Sequence, residues 1–220
     1  AIGAERTFNY TFAGNGLPYF AAYAEITDLV AAAGNGTYTF SELDVSDIVG
    51  EYCGTDFAGW GVYVIYADPS LRLNQISLFD GLDGVSASNT TLDITLTNID
   101  VTSDILSKIG FLAWEGEEPI ANGESLVING VLIDNPPLNP GDNAFNGTNS
   151  YSGSNVNYNM DLDFYNLAGI VQPGDTSVLI NLSSQRDFVM VNNIITSVNS
   201  ELSDATMTID NLGVLCENNN

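Results

Sequence analysis

The stretch Ser-Leu-Val-Ile-Asn-Gly-Val-Leu-Ile, residues 125–133, constrains this chain more than any other. Asn129-Gly130 supplies two residues that tolerate positive φ at the centre of a type I′ turn, and apolar runs flank it on both sides. Such a pair closes a two-residue hairpin and pins its register, so antiparallel sheet is expected here. The rest of the chain repeats the theme. Residues 7–12 alternate so that Phe8, Tyr10 and Phe12 share one face of a strand, and residues 72–79 alternate likewise. In 91–96, Leu92, Ile94 and Leu96 face inward while Asp93 and Thr95 face solvent. Further strands are expected over 158–165, 177–182, 188–198 and 205–212, separated by clusters of Gly, Asn, Asp and Pro.

Two segments depart from alternation. Residues 59–67, Gly-Trp-Gly-Val-Tyr-Val-Ile-Tyr-Ala, are apolar at nearly every position, which predicts a central strand covered on both faces and ended by Asp68-Pro69-Ser70. Residues 19–33 place Ile26, Leu29, Val30 and Ala33 at helical spacing, with Gly34 as a C-terminal stop and Asn35-Gly36 turning the chain into 37–40. The spacing of turn signals is too regular for alternating strands and helices. The expected fold is therefore all-β, an antiparallel β-sandwich of jelly-roll-like kind with one short helix, and a single domain over residues 1–220.

Charge narrows the function. There are 28 acidic and 4 basic side chains, a net charge of −24, and the cations Arg6, Arg72, Lys108 and Arg186 are scattered. Binding nucleic acid, or inserting at an anionic membrane, needs a dense Lys/Arg surface that this chain lacks. Histidine is absent, which removes Ser-His-Asp and Cys-His catalysis and His-ligated zinc. Yet 45% of residues are hydrophobic, enough for a core. So acidic a domain needs salt or divalent cations to screen it, which suits a cell exterior, and the chain is expected to be a mature or excised soluble segment. In a secreted chain Cys53 and Cys216 are expected to join, stabilising by roughly 5 kcal/mol through closure of a long loop, whereas elsewhere they would be two buried thiols.

Paired carboxylates are the only catalytic material, and Glu115, Glu117 and Glu118 form the best cluster. No motif pairs them, so turnover is not expected. Calcium is the one cofactor left open. Asp80 and Asp83 in Asp-Gly-Leu-Asp-Gly, and Asp142 beside Asn143, are the candidate ligands, although neither stretch matches the twelve-residue calcium loop and turn capping explains both. Asp161 and Asp163 alternate with Met160, Leu162 and Phe164 and are read as a solvated strand face. Trp60 and Trp114 sit in apolar context and are expected in the core; exposed, they would favour stacking on sugar rings.

The blocks 22–30 (AYAEITDLV), 35–40 (NGTYTF), 53–82, 109–117 (IGFLAWEGE), 128–153, 158–167 (YNMDLDFYNL) and 187–211 resemble a domain of very large secreted surface proteins of gliding and marine Bacteroidota. The pattern GW-x-V-x-V-x-Y-x-DPS-L followed by LFDG is its most specific part. Those proteins are exported by the type IX secretion system, usually as long multidomain chains, and are described as adhesin-like. The resemblance implies an extracellular, cell-surface location and a non-enzymatic module that mediates or projects attachment. Expected partners are cell-surface or extracellular glycans, abiotic surfaces and other domains of the same long chain. The alternatives are a carbohydrate-binding module and a filament subunit whose segment 1–12 pairs with a neighbour's open sheet edge.

Overall fold

The computed structural model describes residues 2–13, 16–46, 57–121 and 123–200; Cys53, Cys216 and the strand expected over 205–212 lie outside them. Among the described residues the alternating segments become strands β1 (Arg6–Thr11), β2 (Pro18–Tyr23), β3 (Asn74–Val85), β4 (Thr91–Thr97), β5 (Ser103–Trp114), β6 (Ser125–Ile128), β7 (Val131–Leu132), β8 (Met160–Asn166), β9 (Ser177–Ser183) and β10 (Val189–Asn199). One helix, α1, spans Thr27–Ala33. The strands form two four-stranded sheets, β3-β10-β5-β8 and β4-β9-β6-β7, with β1-β2 as a separate pair, and every ladder between them is antiparallel. From β3 onward the chain passes from sheet to sheet, so neighbours in sequence mostly face one another across the core. The protein is an all-β antiparallel sandwich with one short helix.

Inward positions at period two build the core. Ile109, Phe111 and Ala113 of β5 and Val189, Val191, Ile194 and Val198 of β10 meet Leu96 of β4, Leu126 and Ile128 of β6 and Val178, Ile180 and Leu182 of β9. The hairpin forms as its turn chemistry demands: Asn129 and Gly130 take φ 48° and 79°, and Ile128 pairs with Val131. Asn129 also locks the turn onto β9, its backbone N–H donating to the Leu179 carbonyl at 2.8 Å and its Oδ1 accepting from the Leu179 N–H at 2.8 Å.

Three expectations are corrected. The helix does not occupy 19–33: residues 18–23 are β2, paired with β1, and only Thr27–Ala33 is helical, ending at Gly34 with φ 71°. Tyr19 and Tyr23 alternate inward with exposed Phe20, a period-two pattern that the helical spacing of the later residues masked. The apolar run 59–67 is not a central strand. It belongs to no sheet, and Val62, Val64, Ile65 and Tyr66 are exposed. Asp80-Gly-Leu-Asp83-Gly is not a loop, since β3 runs straight through it to Val85, paired with β10.

The run 57–63 instead lies against the outer face of the first sheet. Gly110, Leu112 and Trp114 of β5 point outward, opposite to the core-facing Ile109, Phe111 and Ala113. A Cβ on Gly59 would sit 2.8 Å from the Trp114 ring, and one on Gly61 would sit 2.8 Å from Leu112 Cδ2. The two glycines let backbone approach those side chains closely. The same face carries the β1-β2 hairpin, fastened by Phe12 stacked on Phe188 at 4.3 Å, by Tyr19 against Phe57 at 5.9 Å and by an Arg6–Asp80 ion pair of 2.8 Å.

Candidate functional site

Two regions have the chemistry of a site. The first is the ribbon 60–73. With Gly59 and Gly61 turned to the sheet, Trp60 between them turns away and is 51% exposed, its ring tilted against Phe40 at 5.9 Å. Trp60 is therefore not the core residue that its apolar neighbours suggested. Val62, Val64, Ile65, Tyr66, Leu71 and Leu73 continue the exposed apolar surface. Isolated exposed apolar residues are ordinary, but a contiguous stretch on a strongly acidic domain marks a surface for contact. The turn at its far end is as expected: Asp68 Oδ1 accepts from the Ser70 N–H at 2.8 Å and from its hydroxyl at 2.7 Å. Trp114 is partly buried under Phe57, 5.7 Å between ring centres, and its Nε1 donates to Asn192 Oδ1 at 3.3 Å. Opposite β5, Asn192 is the extra residue of a β-bulge in β10; its side chain holds Trp114 on one side and donates to the Gly81 carbonyl of β3 at 3.0 Å on the other.

The second region is a nest of acids and amides at one end of the sandwich. Asp161 and Asp163 of β8 face inward and are 0% exposed, which corrects their reading as a solvated face. Asp161 Oδ1 accepts from the backbone N–H of Asn146 at 2.9 Å and of Thr148 at 3.0 Å. Asp163 accepts from the Ser150 N–H at 2.9 Å, the Thr148 hydroxyl at 3.1 Å and Asn139 Nδ2 at 3.0 Å. These carboxylates replace the missing ladder partners of the loop that runs past them. Burial, opposed by those hydrogen bonds, still raises Asp161 to about 8.

Across from Asp161 stand Glu124, just before β6, and Asp187, just before β10, both buried. Glu124 Oε1 accepts a very short hydrogen bond from the Phe145 N–H, and Asp187 Oδ2 accepts from the Glu117 N–H at 3.1 Å. The Asp187 carboxylate lies within hydrogen-bonding reach of both the Glu117 and the Glu124 carboxyl groups. Desolvation first, and then these neighbouring carboxylates, raise Glu117 and Glu124 well above the ordinary range; Glu115 rises to about 7 by burial and by Asp187. Every charge acting on these three is another carboxylate. Glu115 takes φ 72° and Gly116 packs under Phe145, where a Cβ would lie 2.4 Å from the carbonyl oxygen.

The candidates named from sequence are thus dispersed. Of the three glutamates, Glu115 and Glu117 enter the nest, while Glu118 is exposed and contributes its carbonyl to Asn143 Nδ2 at 2.9 Å. Asp80 pairs with Arg6, Asp83 Oδ1 accepts from the Gly84 N–H at 2.8 Å, and Asp142 is exposed in the loop beside Asn143. Among the described residues no three His, Cys, Asp or Glu side chains gather to hold a metal by themselves. Sequence reasoning singled out the Asp142-Asn143 loop but missed Glu124, Asp187 and the amides Asn139 and Asn146. The only hint was Asn and Asp density over 139–146, which turn chemistry equally explains. In chemical terms the site belongs to a β-sandwich with an exposed aromatic ribbon and an internal acid nest. In comparisons with known protein families, curated proteins and solved structures, nothing matches the chain.

Proposed function

We propose that this chain is a non-enzymatic, extracellular module of a bacterial cell-surface adhesin, which attaches to surfaces or projects neighbouring domains of a longer chain. The observation that carries the reading is the ribbon: Trp60, Val62, Val64, Ile65 and Tyr66 are presented to solvent by a segment lying on a rigid sheet. A scaffold of strands with recognition on its connecting segments is a common division of labour. The acids support binding over hydrolysis. A glycosidase needs two carboxyl groups reached by a sugar, whereas Glu124 is 1% and Asp187 2% exposed. Among the described residues no helix is long and apolar enough to cross a membrane.

The test is attachment. Labelled protein should adhere to glycan-coated, cellular or abiotic apolar surfaces, and Trp60→Ala with Tyr66→Ser should reduce adhesion without changing the unfolding temperature. Attachment unchanged in that double variant removes the ribbon from the reading. Sugar released from a polysaccharide panel and abolished by Glu115→Gln would replace the adhesin by an enzyme. A second reading, a carbohydrate-binding module, is favoured by Trp60 and Phe40 together, since half-exposed rings suit stacking on sugars; saturable quenching of tryptophan emission by one soluble glycan distinguishes it. In the filament reading, residues 6–11 pair with 18–23 of the same chain along one edge and would offer the other edge to a neighbour.

A further inference from the structure

The second sheet ends in an open edge. In the order β4-β9-β6-β7, β9 pairs with one side of β4, and among the described residues no strand pairs with the other. Which way the backbone of β4 points follows from β9. Leu179 spends its N–H and C=O on Asn129, toward β6, so its neighbours Val178 and Ile180 turn theirs toward β4, where they face Leu96 and Ile94. Leu92, Ile94 and Leu96 therefore bond to β9, while Thr91, Asp93, Thr95 and Thr97 point their N–H and C=O groups outward. The side chains of Leu92, Ile94 and Leu96 turn to the core, yet Leu92 and Ile94 stay partly exposed at the open seam.

An exposed edge invites pairing, and proteins guard such edges with charge, proline, bulges or a covering segment. The other edges of the two four-stranded sheets are guarded. Residues 148–150 cover β8, the Ser150 N–H donating to the Leu162 carbonyl at 3.3 Å and the Leu162 N–H to the Thr148 carbonyl at 3.0 Å. β3 shifts register against β10 between Asp80 and Asp83 and carries both acids, and β7 is only two residues long. β4 has none of these devices. Its seven residues keep an unbroken register with β9, contain no lysine, arginine or proline, and hold one charge, Asp93.

The edge is also nearly palindromic: Thr-Leu-Asp-Ile-Thr-Leu-Thr reads almost the same in both directions about Ile94. Antiparallel pairing of two copies about Ile94 sets Thr91 opposite Thr97 and Asp93 opposite Thr95, all outward-pointing, so each pair exchanges its N–H and C=O groups. Ile94 meets Ile94 and Leu92 meets Leu96 at the closer, non-hydrogen-bonded positions, which covers the side chains left half open. No acid stands directly opposite another, and Asp93 already accepts from Asn181 Nδ2 at 2.6 Å. We propose that two copies of this chain associate through β4, joining their second sheets into one continuous sheet across a two-fold axis at Ile94. Such an interface is isologous and closes on itself. The axis stands perpendicular to the sheet, so the first sheets of both copies, with the ribbons on their outer faces, lie on the same side of the pair. Association does not depend on what the ribbons contact. Each copy carries a net charge of −24, so the dimer strengthens as salt screens the repulsion. A short edge is a small contact beside the roughly 1,600 Å² of a standard interface, which makes the dimer reversible.

The experiment is sedimentation equilibrium of the full chain over a concentration series reaching about 1 mM, at low and at high salt. The mass should climb from 23.4 kDa toward twice that value, and at lower concentration in high salt. Thr95 is exposed and its backbone points away from β9, so substitutions there spare the ladder. Thr95→Asp, set against Asp93 of the second copy, should weaken association by about 10-fold, and Thr95→Lys, facing the same carboxylate, should tighten it. Both should unfold at the wild-type temperature in dilute solution, and Trp60→Ala with Tyr66→Ser should dimerise as the wild type does. In hydrogen exchange the amides of Asp93 and Thr95 should be fast in the dilute monomer and slow in the dimer, with Leu92 and Ile94 slow in both. A chain that stays monomeric at about 1 mM in high salt overturns the proposal, as does association that the ribbon variant abolishes and the Thr95 variants leave unchanged. Slow exchange at Asp93 and Thr95 in the monomer also overturns it, because another part of the chain would then already cover the edge.

Discussion

Strand β9 and the run 59–67 are comparable apolar stretches with opposite fates. In β9, Val178, Ile180 and Leu182 alternate with Ser177, Leu179, Asn181 and Ser183, and only the first set is buried. Its two faces differ, so one register satisfies both the core and the ladder with β4 and β6. The run 59–67 is more hydrophobic but has no such asymmetry, and it remains outside every sheet. What distinguishes them is glycine: Gly59 and Gly61 provide a smooth edge that fits over Trp114 and Leu112, and that edge commits the intervening Trp60 to solvent. Alternation, more than hydrophobicity, specifies burial in this chain.

The comparison breaks most sharply in the core. Phe111 is fully buried on β5, edge-on to Phe145 with ring centres 6.0 Å apart. Phe111→Ala should cost about 3–5 kcal/mol in urea unfolding, and Val64→Ser on the ribbon no more than about 0.5 kcal/mol. Equal costs would mean that the ribbon is as much a part of the folded core as β5 is.

Glycine contacts come next in size. A Cβ on Gly116 meets the Phe145 carbonyl, backbone that cannot swing aside, so Gly116→Ala should destabilise by about 1–3 kcal/mol. Gly61→Ala meets only the end of the flexible Leu112 side chain and should cost less. The reverse order in chemical denaturation would sink the account of how the ribbon is seated.

How much of this was legible follows from the range of the interactions. The Asn129-Gly130 hairpin, the inward set Leu92, Ile94 and Leu96, and the Asp68 turn depend on neighbours a few residues away, and the sequence displays them directly. The nest depends on Glu117, Glu124, Asn143, Asp161 and Asp187 meeting from five segments, and no local pattern encodes that meeting. Asp161 and Asp163 show the failure plainly. Period two placed them correctly opposite Leu162 and Phe164, but which face was solvated was decided by the loop 139–150, whose backbone N–H groups they accept. The face given to solvent was in fact the apolar one, with Phe164 left partly exposed over Gly110.

The buried acids carry the opposite pH sign from those on the surface. Glu115 and Asp161 are raised to about 7 and about 8, mainly by burial, so the folded state binds their protons more tightly than the unfolded chain does. Their contribution is fully present below the ordinary carboxyl range and is lost as pH rises through about 7 to 8. Asp44 and Asp68, lowered by hydrogen bonds from Ser46 and Ser70, act in the other direction from full exposure. In chelator, the unfolding temperature should fall between pH 5 and pH 9, and Asp161→Asn or Glu115→Gln should flatten the fall. A slope that survives both changes would assign it to general repulsion among the surface acids.

The smallest effect is the most direct test of the ribbon, because the two tryptophans report one on each side of it. Trp60 faces outward between two glycines, and Trp114 lies beneath Phe57 with its Nε1 on Asn192. Acrylamide should quench Trp60 readily in the Trp114→Phe variant, with emission near that of a solvated indole. The Trp60→Phe variant should keep the blue-shifted, protected emission of Trp114. Stability should barely change in Trp60→Phe, since a ring against Phe40 is retained and no cavity opens in the core. Protection of both tryptophans would mean that the outer surface of 60–66 is covered in the folded protein, which would remove the ribbon as a contact surface while leaving the sandwich and its acid nest intact.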